Sequence, residues 1–255
     1  MVRNALTFDI EDWYQGLTST SENIAEWANF ESRVEKNSEF ILEKLSKTNV
    51  KATFFILGYV AEHFPRLIKT ISGEGHEIGL HGYFHRKVNQ LRLDQFVRDI
   101  KKTLLVIEQT SGKKVLGFRA PMFSINHDSM WALDALKDMG FCYDSSIFPI
   151  RNRYYGAPDA PRFPYRPLKN QDFYEIPVST TSRFGTNWPV GGGFYFRAMP
   201  YTLFRHEINR LNNQGKPAVL YFHPWEFDLE QPYQKVTLRE NVTPFYGRKG
   251  LEGKF

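Results

Sequence analysis

His81 and His85 are separated by three residues, and two imidazoles at positions i and i+4 can converge on one ion. On a helical turn such side chains share a face, and neutral imidazole is the commonest nitrogen ligand for zinc and its neighbours. The pair alone is equally compatible with two solvated histidines in a loop. The upstream chain changes that balance. Asp9, Glu11 and Asp12 stand at the end of a short apolar run, so an anionic third ligand is at hand. Further along, Arg119, Asp144 and His223 each close a short apolar run in the same way.

Those runs read as strands alternating with helices. Residues 5–10 form a first strand, and 30–47 carry Phe40, Ile41 and Leu45 at helical spacing. A β-branched and aromatic strand spans 51–57 and closes at Gly58. A helix over 59–72, with Pro65 as a kink or restart, leads to a third strand at 76–80, directly before the histidines. Residues 94–109 are the clearest helix, with Phe96, Val97, Ile100, Leu104 and Ile107 on one stripe and Ser111-Gly112 as its stop. Strands at 115–118 and 141–143, a helix at 126–139, a strand at 174–179, a helix at 200–213 and a buried strand at 218–222 follow. Repeated βα units predict parallel strands with helices outside. Ligands of such folds gather at the carboxyl ends of the strands, where every candidate group stands.

Composition excludes several classes. The 255 residues are 42% hydrophobic and 24% charged, ordinary for a globular chain with a core. A net charge of +5 comes without a long basic run, which argues against a nucleic-acid partner. No segment approaches the roughly twenty apolar residues needed to span a bilayer, and the first residues lack a secretory leader; the expectation is a cytoplasmic protein without stable membrane insertion. The single cysteine, Cys142, excludes an internal disulfide and reads as a small core residue. Aromatics make up 16%, with 22 Phe and 13 Tyr, which suits sugar rings as well as core packing. Gly191-Gly192-Gly193 lacks the lysine and hydroxyl of a phosphate loop, leaving a close backbone approach or a flexible turn.

Taken together, Thr7-Phe8-Asp9, Thr53-Phe54-Phe55 with Gly58, His81-x-x-x-His85, Arg119-x-Pro121, Asp144 and Leu220-x-x-His223 resemble, in order and spacing, the NodB-type polysaccharide deacetylases of carbohydrate esterase family 4. The Phe-Asp-Ile-Glu-Asp-Trp start, the triple glycine and the His-Pro-Trp-Glu segment look like the branch found in bacterial exopolysaccharide loci. The similarity spans about residues 5–228. It implies an α/β fold, a distorted (β/α) barrel with fewer than eight parallel strands. It also implies one catalytic domain over 1–255, with a tail from about 229 that could be cut short.

The resemblance further implies site roles. His81 and His85 would be metal ligands and Asp9 the base that takes a proton from the attacking water. Arg119 would pair with Asp9, a cation keeping a carboxylate ionised. His223 would protonate the departing amine, its ring held by Asp144. The cofactor would be a divalent ion, zinc first, with Co, Ni, Mn or Fe as alternatives. Two departures stand out. The family's second aspartate is replaced by Ile10, so the carboxylate ligand is Glu11 if the strand continues, because side chains alternate, or Asp12 if it turns at Ile10; the reading leans to Asp12. Gly82 stands where many relatives carry Ser or Thr to brace the histidine loop.

Read singly, Arg119 could anchor a loop, Asp144 could cap a turn and His223 could be a satisfied strand-end histidine. Trp188, Trp225 and Tyr195 could stack on sugars or pack in the core, and Glu226 has no assigned role. Three functions follow in order. The first is a metal-dependent hydrolase removing N-acetyl groups from N-acetylhexosamine residues of a bacterial polysaccharide or its precursor, with an acetylated glycan or carrier-linked sugar as partner. The second is an amidohydrolase of small cyclic amides. The third is a non-catalytic carbohydrate-binding relative. Basic residues cluster at 151–169 (Arg151, Arg153, Arg162, Arg166, Lys169) and at 235–255, which would suit an extended or anionic glycan.

Overall fold

The computed structural model describes residues 2–16, 19–152, 155–169, 172–232 and 243–255. Arg153, Lys235, Arg239 and Glu240 of the two basic stretches lie outside them. Seven parallel strands form one sheet: β1 (Ala5–Ile10), β2 (Thr53–Ile56), β3 (Glu77–Leu80), β4 (Gly117–Phe118), β5 (Tyr143–Asp144), β6 (Tyr174–Glu175) and β9 (Val219–Phe222). Their order is β6-β5-β4-β3-β2-β1-β9, a curled half-barrel that realises the expected barrel of fewer than eight strands. β7 (Thr180–Arg183) and β8 (Thr186–Pro189) pair with each other as an antiparallel hairpin that the sequence did not announce.

The helices that cover the sheet are set by their apolar stripes. Helix α1 (Val34–Thr48) buries Val34, Ile41, Leu42 and Leu45 and ends at Asn49, whose φ of 52° makes a left-handed cap. The 59–72 region breaks as Pro65 required, into α2 (Gly58–His63) and α3 (Pro65–Gly73), with Pro65 at the first helical position, where a missing N–H costs nothing. Helix α4 (Leu93–Ser111) buries Phe96, Ile100, Thr103 and Ile107 and stops at Gly112. Helix α5 (Trp131–Asp138) is shorter than the 126–139 reading, because a 3-10 turn at His127–Ser129 precedes it. Helices α6 (Gly193–Ala198) and α7 (Tyr201–Asn213) precede β9.

Strand β2 is buried from Phe54 to Ile56, as a strand covered on both faces should be. Phe8 of β1 stacks on Phe54 with centroids 5.3 Å apart, and burying each such ring contributes about 1.5–3 kcal/mol. The strand expected at 174–179 lasts only two residues. Past Glu175 the chain leaves β5 and runs to β9, where Ser179 N donates to Val219 O at 3.1 Å. Cys142 is exposed, which corrects its reading as a core residue; it sits at the amino end of β5, away from the buried half of the strand. Among the described residues, no helix is long and apolar enough to cross a membrane.

Candidate active site

Strand β1 delivers Asp9 inside the half-barrel, paired in register with Phe55 of β2. The chain stays extended through Glu11, Leu57 N donating to Ile10 O, and turns only at Asp12, whose carbonyl accepts from Gln15 N at 2.9 Å. Alternation therefore carries Glu11 to the same side as Asp9. Asp12 is spent on the turn: its carboxylate accepts from Ser32 Oγ at 2.6 Å, from Trp13 N at 2.9 Å and from Arg33 N at 3.0 Å. The lean toward Asp12 is thus corrected, since Glu11 is the carboxylate that meets the histidines. Burial pushes the Asp12 carboxyl up to about 6 despite those bonds.

His81 follows β3 directly, and His85 closes the next loop. That segment is not the helical turn the spacing allowed. Gly82 at φ 74° and His85 at φ 54° are both left-handed, and this bends the loop so that the rings converge, 5.2 Å apart. A serine or threonine at Gly82 would be strained there; the loop is braced instead by Tyr83 N donating to Asp99 Oδ2 (2.9 Å) and Gly58 N to Gly82 O (2.9 Å).

Glu11, His81 and His85 offer one ligand atom each, all within 4.8 Å of one another and all buried. Glu11 Oε2 lies 2.7 Å from His85 Nε2 and 4.0 Å from His81 Nε2, yet no N–H or O–H is aimed along a hydrogen bond to it. An orphaned buried carboxylate oxygen is costly unless something binds it. The other oxygen is held by Trp225 Nε1 at 3.1 Å. His81 Nδ1 donates to the Arg119 carbonyl at 2.8 Å, which turns Nε2 toward Glu11. Burial lowers His81 to about 4, so its ring is neutral, as a ligand must be. Burial alone would raise Glu11, but His85, His223 and His81 hold it at about 2. Two imidazole nitrogens and one carboxylate facing an open cleft fit a divalent ion of the zinc type with a free position.

Arg119, fully buried after β4, donates from Nη1 to Asp9 Oδ1 (2.8 Å) and Thr7 Oγ1 (2.7 Å), from Nε to Ser145 O (3.1 Å) and from Nη2 to Ser145 Oγ (3.0 Å). Its guanidinium also lies 4.2 Å from the Phe55 ring centroid. Every donor direction but one is taken by a fixed partner, so Asp9 Oδ1 is fixed and Oδ2 is left toward the cleft.

His223 ends β9. Its Nε2 stands 3.9 Å from Asp9 Oδ2 and 3.7 Å from Glu11 Oε1, beyond hydrogen-bond reach of either. Its Nδ1 pairs with Glu226 Oε1 at 2.7 Å, and Glu226 also accepts from the His223 N–H at 3.0 Å. Asp144 is not the group that holds this ring: it accepts from the Ser146 hydroxyl and faces Glu175 across β5 and β6. That expectation is corrected, and the role falls to Glu226. Burial alone would lower His223, but the Glu226 bond with the charges of Glu11 and Asp9 pushes it up to about 9.

Asp9, Glu11, His81, His85, His223 and Glu226 line one open cleft of about 740 Å³, walled by Met122, Phe123, Tyr155, Phe194 and Tyr195. Trp225 is buried, stacked on His223 with centroids 5.0 Å apart, and Trp188 is 56% exposed on the hairpin, outside the cleft lining. Of the three aromatics weighed for sugar stacking, Tyr195 and Trp225 line the cleft, Trp225 with its ring against His223. Gly191-Gly192-Gly193 makes the close approach: at Gly192 an added Cβ would sit 2.0 Å from Tyr221 O.

Residues 5–143 match the sequence model of the family "Polysaccharide deacetylase", and residues 145–255 match a domain of unknown function, DUF3473. The chain is 39% identical over 95 residues to a peptidoglycan-N-acetylglucosamine deacetylase of Bacillus cereus, covering 37% of this chain and 34% of that one. It is 40% identical over 97 residues to the peptidoglycan deacetylase-like protein FGM2 of Gibberella zeae, covering 38% and 28%. The chain thus spans about a third of the length of these curated relatives. A crystal structure of a Mycobacterium smegmatis protein superposes with a TM-score of 0.68 at 25% identity, over 87% of this chain and 76% of that one. The Puue allantoinase shares the fold alone, with a TM-score of 0.61 at 15% identity over 87% and 77%. With over half its length matched, and strand ends that carry a His-His-carboxylate set, an Arg-bound aspartate and a held histidine, the chain belongs to the polysaccharide deacetylase family.

Proposed function

We propose that this chain is a single-domain, divalent-metal-dependent hydrolase that removes N-acetyl groups from N-acetylhexosamine residues of a bacterial polysaccharide or its precursor. The observation that carries the reading is convergence: the Glu11, His81 and His85 set, the Asp9–Arg119 pair and the His223–Glu226 pair all open on one cleft. The curated relatives named for peptidoglycan deacetylation support an acetylated glycan as the substrate class. The exopolysaccharide branch rests on the Phe-Asp-Ile-Glu-Asp-Trp, triple-glycine and His-Pro-Trp-Glu segments.

Glu11, His81 and His85 would hold the ion, zinc by donor set, with Co, Ni, Mn or Fe as alternatives. When bound, it supplies Lewis acidity toward the acetamide carbonyl and toward water. Asp9 removes a proton from the attacking water through Oδ2, because Arg119 occupies Oδ1. As the C–N bond breaks, His223 Nε2 gives its proton to the amine nitrogen. Glu226 keeps the ring charged and oriented for that transfer. Acetate and the free amino sugar leave. Tyr195, Tyr155 and Phe123 offer ring faces to the pyranose beside the reacting group.

The test is acetate release from chito-oligosaccharides and acetylated bacterial glycans, run beside a panel of small cyclic amides. Glycan turnover without imide opening is expected. Ring opening of an imide with no acetate from any glycan would move the protein to the cyclic amidohydrolases.

A further inference from the structure

We propose that Arg197 is a positioning residue for His223, holding Glu226 in place against the 243–246 segment so that this segment is part of the deacetylation machinery. The role rests on the deacetylase reading above, but its geometry does not. Arg197 lies on α6 and is 3% exposed, and Glu226 is fully buried. Arg197 Nε donates to Glu226 Oε2 at 2.6 Å, while Glu226 Oε1 faces His223 Nδ1 at 2.7 Å. The remaining guanidinium nitrogens donate to carbonyls: Nη1 to Pro244 O (3.1 Å) and Tyr246 O (2.5 Å), Nη2 to Thr243 O (2.8 Å).

Each link has a physical reason. A carboxylate taken out of water needs a paired cation, and Arg197 is the permanently charged partner of Glu226 beside the His223 ring. An ionised Glu226 only accepts, so it accepts a hydrogen bond from His223 Nδ1–H and fixes Nε2 toward the cleft. The planar fork of Arg197 matches four acceptors at once, which a lysine cannot do. Its place is set by the triple glycine. Gly192 bridges to Tyr221 of β9, two residues before His223, and directly precedes α6, so the glycine run and Arg197 act as one unit beneath the histidine.

Arg248 provides a contrast. It ties the same 225–228 turn to the C-terminal segment through the carbonyls of Trp225 (2.5 Å), Glu226 (3.1 Å) and Asp228, without touching the Glu226 carboxylate.

The experiment compares wild type with Arg197→Lys, Glu226→Gln, their double variant and Arg248→Lys. The readouts are kcat and KM on an acetylated oligosaccharide and the imidazole N–H signal of His223 in nitrogen–proton correlation spectra, assigned with His223→Gln. Arg197→Lys and Glu226→Gln should each lower kcat roughly tenfold or more with KM within about twofold. The double variant should be no worse than the poorer single. The His223 Nδ1–H signal should be lost in Glu226→Gln, shifted in Arg197→Lys and unchanged in Arg248→Lys, whose effect should be confined to a lower melting temperature. Multiplying effects in the double variant, a loss confined to KM, an unshifted signal in Arg197→Lys or a shifted one in Arg248→Lys would overturn the role. Should wild type release no acetate, the deacetylase reading fails, and the His223 signals still decide whether Arg197 positions the ring.

Discussion

Arg119 fixes His81 and Asp9 at once: its carbonyl accepts from His81 Nδ1 at 2.8 Å and its guanidinium donates to Asp9 at 2.8 Å. One residue at the end of β4 thus couples a proposed metal ligand to the proposed base, main chain to one and side chain to the other. Breaking a buried pair by removing one partner leaves an uncompensated charge. Arg119→Met should therefore cost about 3–5 kcal/mol in urea denaturation. Arg119→Lys should fold better yet remain slow in turnover, since one ammonium cannot span Thr7, Asp9 and Ser145. Wild-type turnover in Arg119→Lys would reduce Arg119 to a loop anchor.

Metal content separates the two neighbouring carboxylates. Glu11→Gln and His81→Ala should lose a bound divalent ion in elemental analysis, whereas Asp12→Asn should retain it. Asp12→Asn should instead lower the melting temperature, because its carboxylate holds Ser32 and the Trp13 and Arg33 amides. Retention of metal by Glu11→Gln with loss by Asp12→Asn would return the ligand to Asp12.

Asp9→Asn and His223→Ala should leave metal content near wild type while each removes roughly a hundredfold or more of turnover, as acid–base groups do. Activity within a few-fold of wild type in either would refute that assignment.

How far the sequence could be read depended on periodicity. The α4 stripe and the β2 aromatics identified their elements because burial repeats at the period of the backbone. The order of strand ends then gathered Asp9, His81, Arg119 and His223. What failed were decisions made by one turn or one long contact. Glu11 against Asp12 depended on where β1 stops, one residue either way. The exchange of Asp144 for Glu226 was hidden because Glu226 lies on a turn three residues past His223, with no periodic signal. The sequence His-Pro-Trp-Glu did contain the clue, a strand-end histidine followed by a carboxylate at capping-box spacing. The β7–β8 hairpin escaped because Phe184-Gly185, its left-handed pair, is a poor match to the usual Asn-Gly turn.

Asp144 and Glu175 face each other in register on β5 and β6, both fully buried, and Glu175 Oε2 has no donor aimed at it. Burial, with the Asp144 charge second, raises Glu175 well above an ordinary carboxyl. A raised acid contributes stability that is complete below its unfolded pKa, about 4.3, and is lost as pH climbs through its folded value. Glu175→Gln mimics the protonated form and should remove that dependence. The melting temperature of the variant relative to wild type should therefore rise from pH 5 upward. A constant difference across that range would mean that the pair carries no shared proton.

The cleft rim bears on how the proposed acetylated substrate would be recognised beyond its acetyl group. Its carboxylates, Asp9, Glu11 and Glu226, already face cationic or imidazole partners, while Lys87 and Arg151 line the rim with no ion pair among the described residues. Arg166 is not part of this rim, since it pairs with Asp172 and Tyr174. A net positive rim beside Tyr155, Phe194 and Tyr195 favours an extended or anionic glycan that passes over the site. Exposed pairs contribute about 0.2–1 kcal/mol each and weaken with salt. The double variant Lys87→Ala, Arg151→Ala should therefore raise KM a few-fold on long acidic oligosaccharides at low salt. The gap should close at high salt, with little change on a neutral monosaccharide. If wild type handles monosaccharide and oligomer equally well at every salt concentration, the two cations are ordinary surface and length selection must come from the ring faces alone.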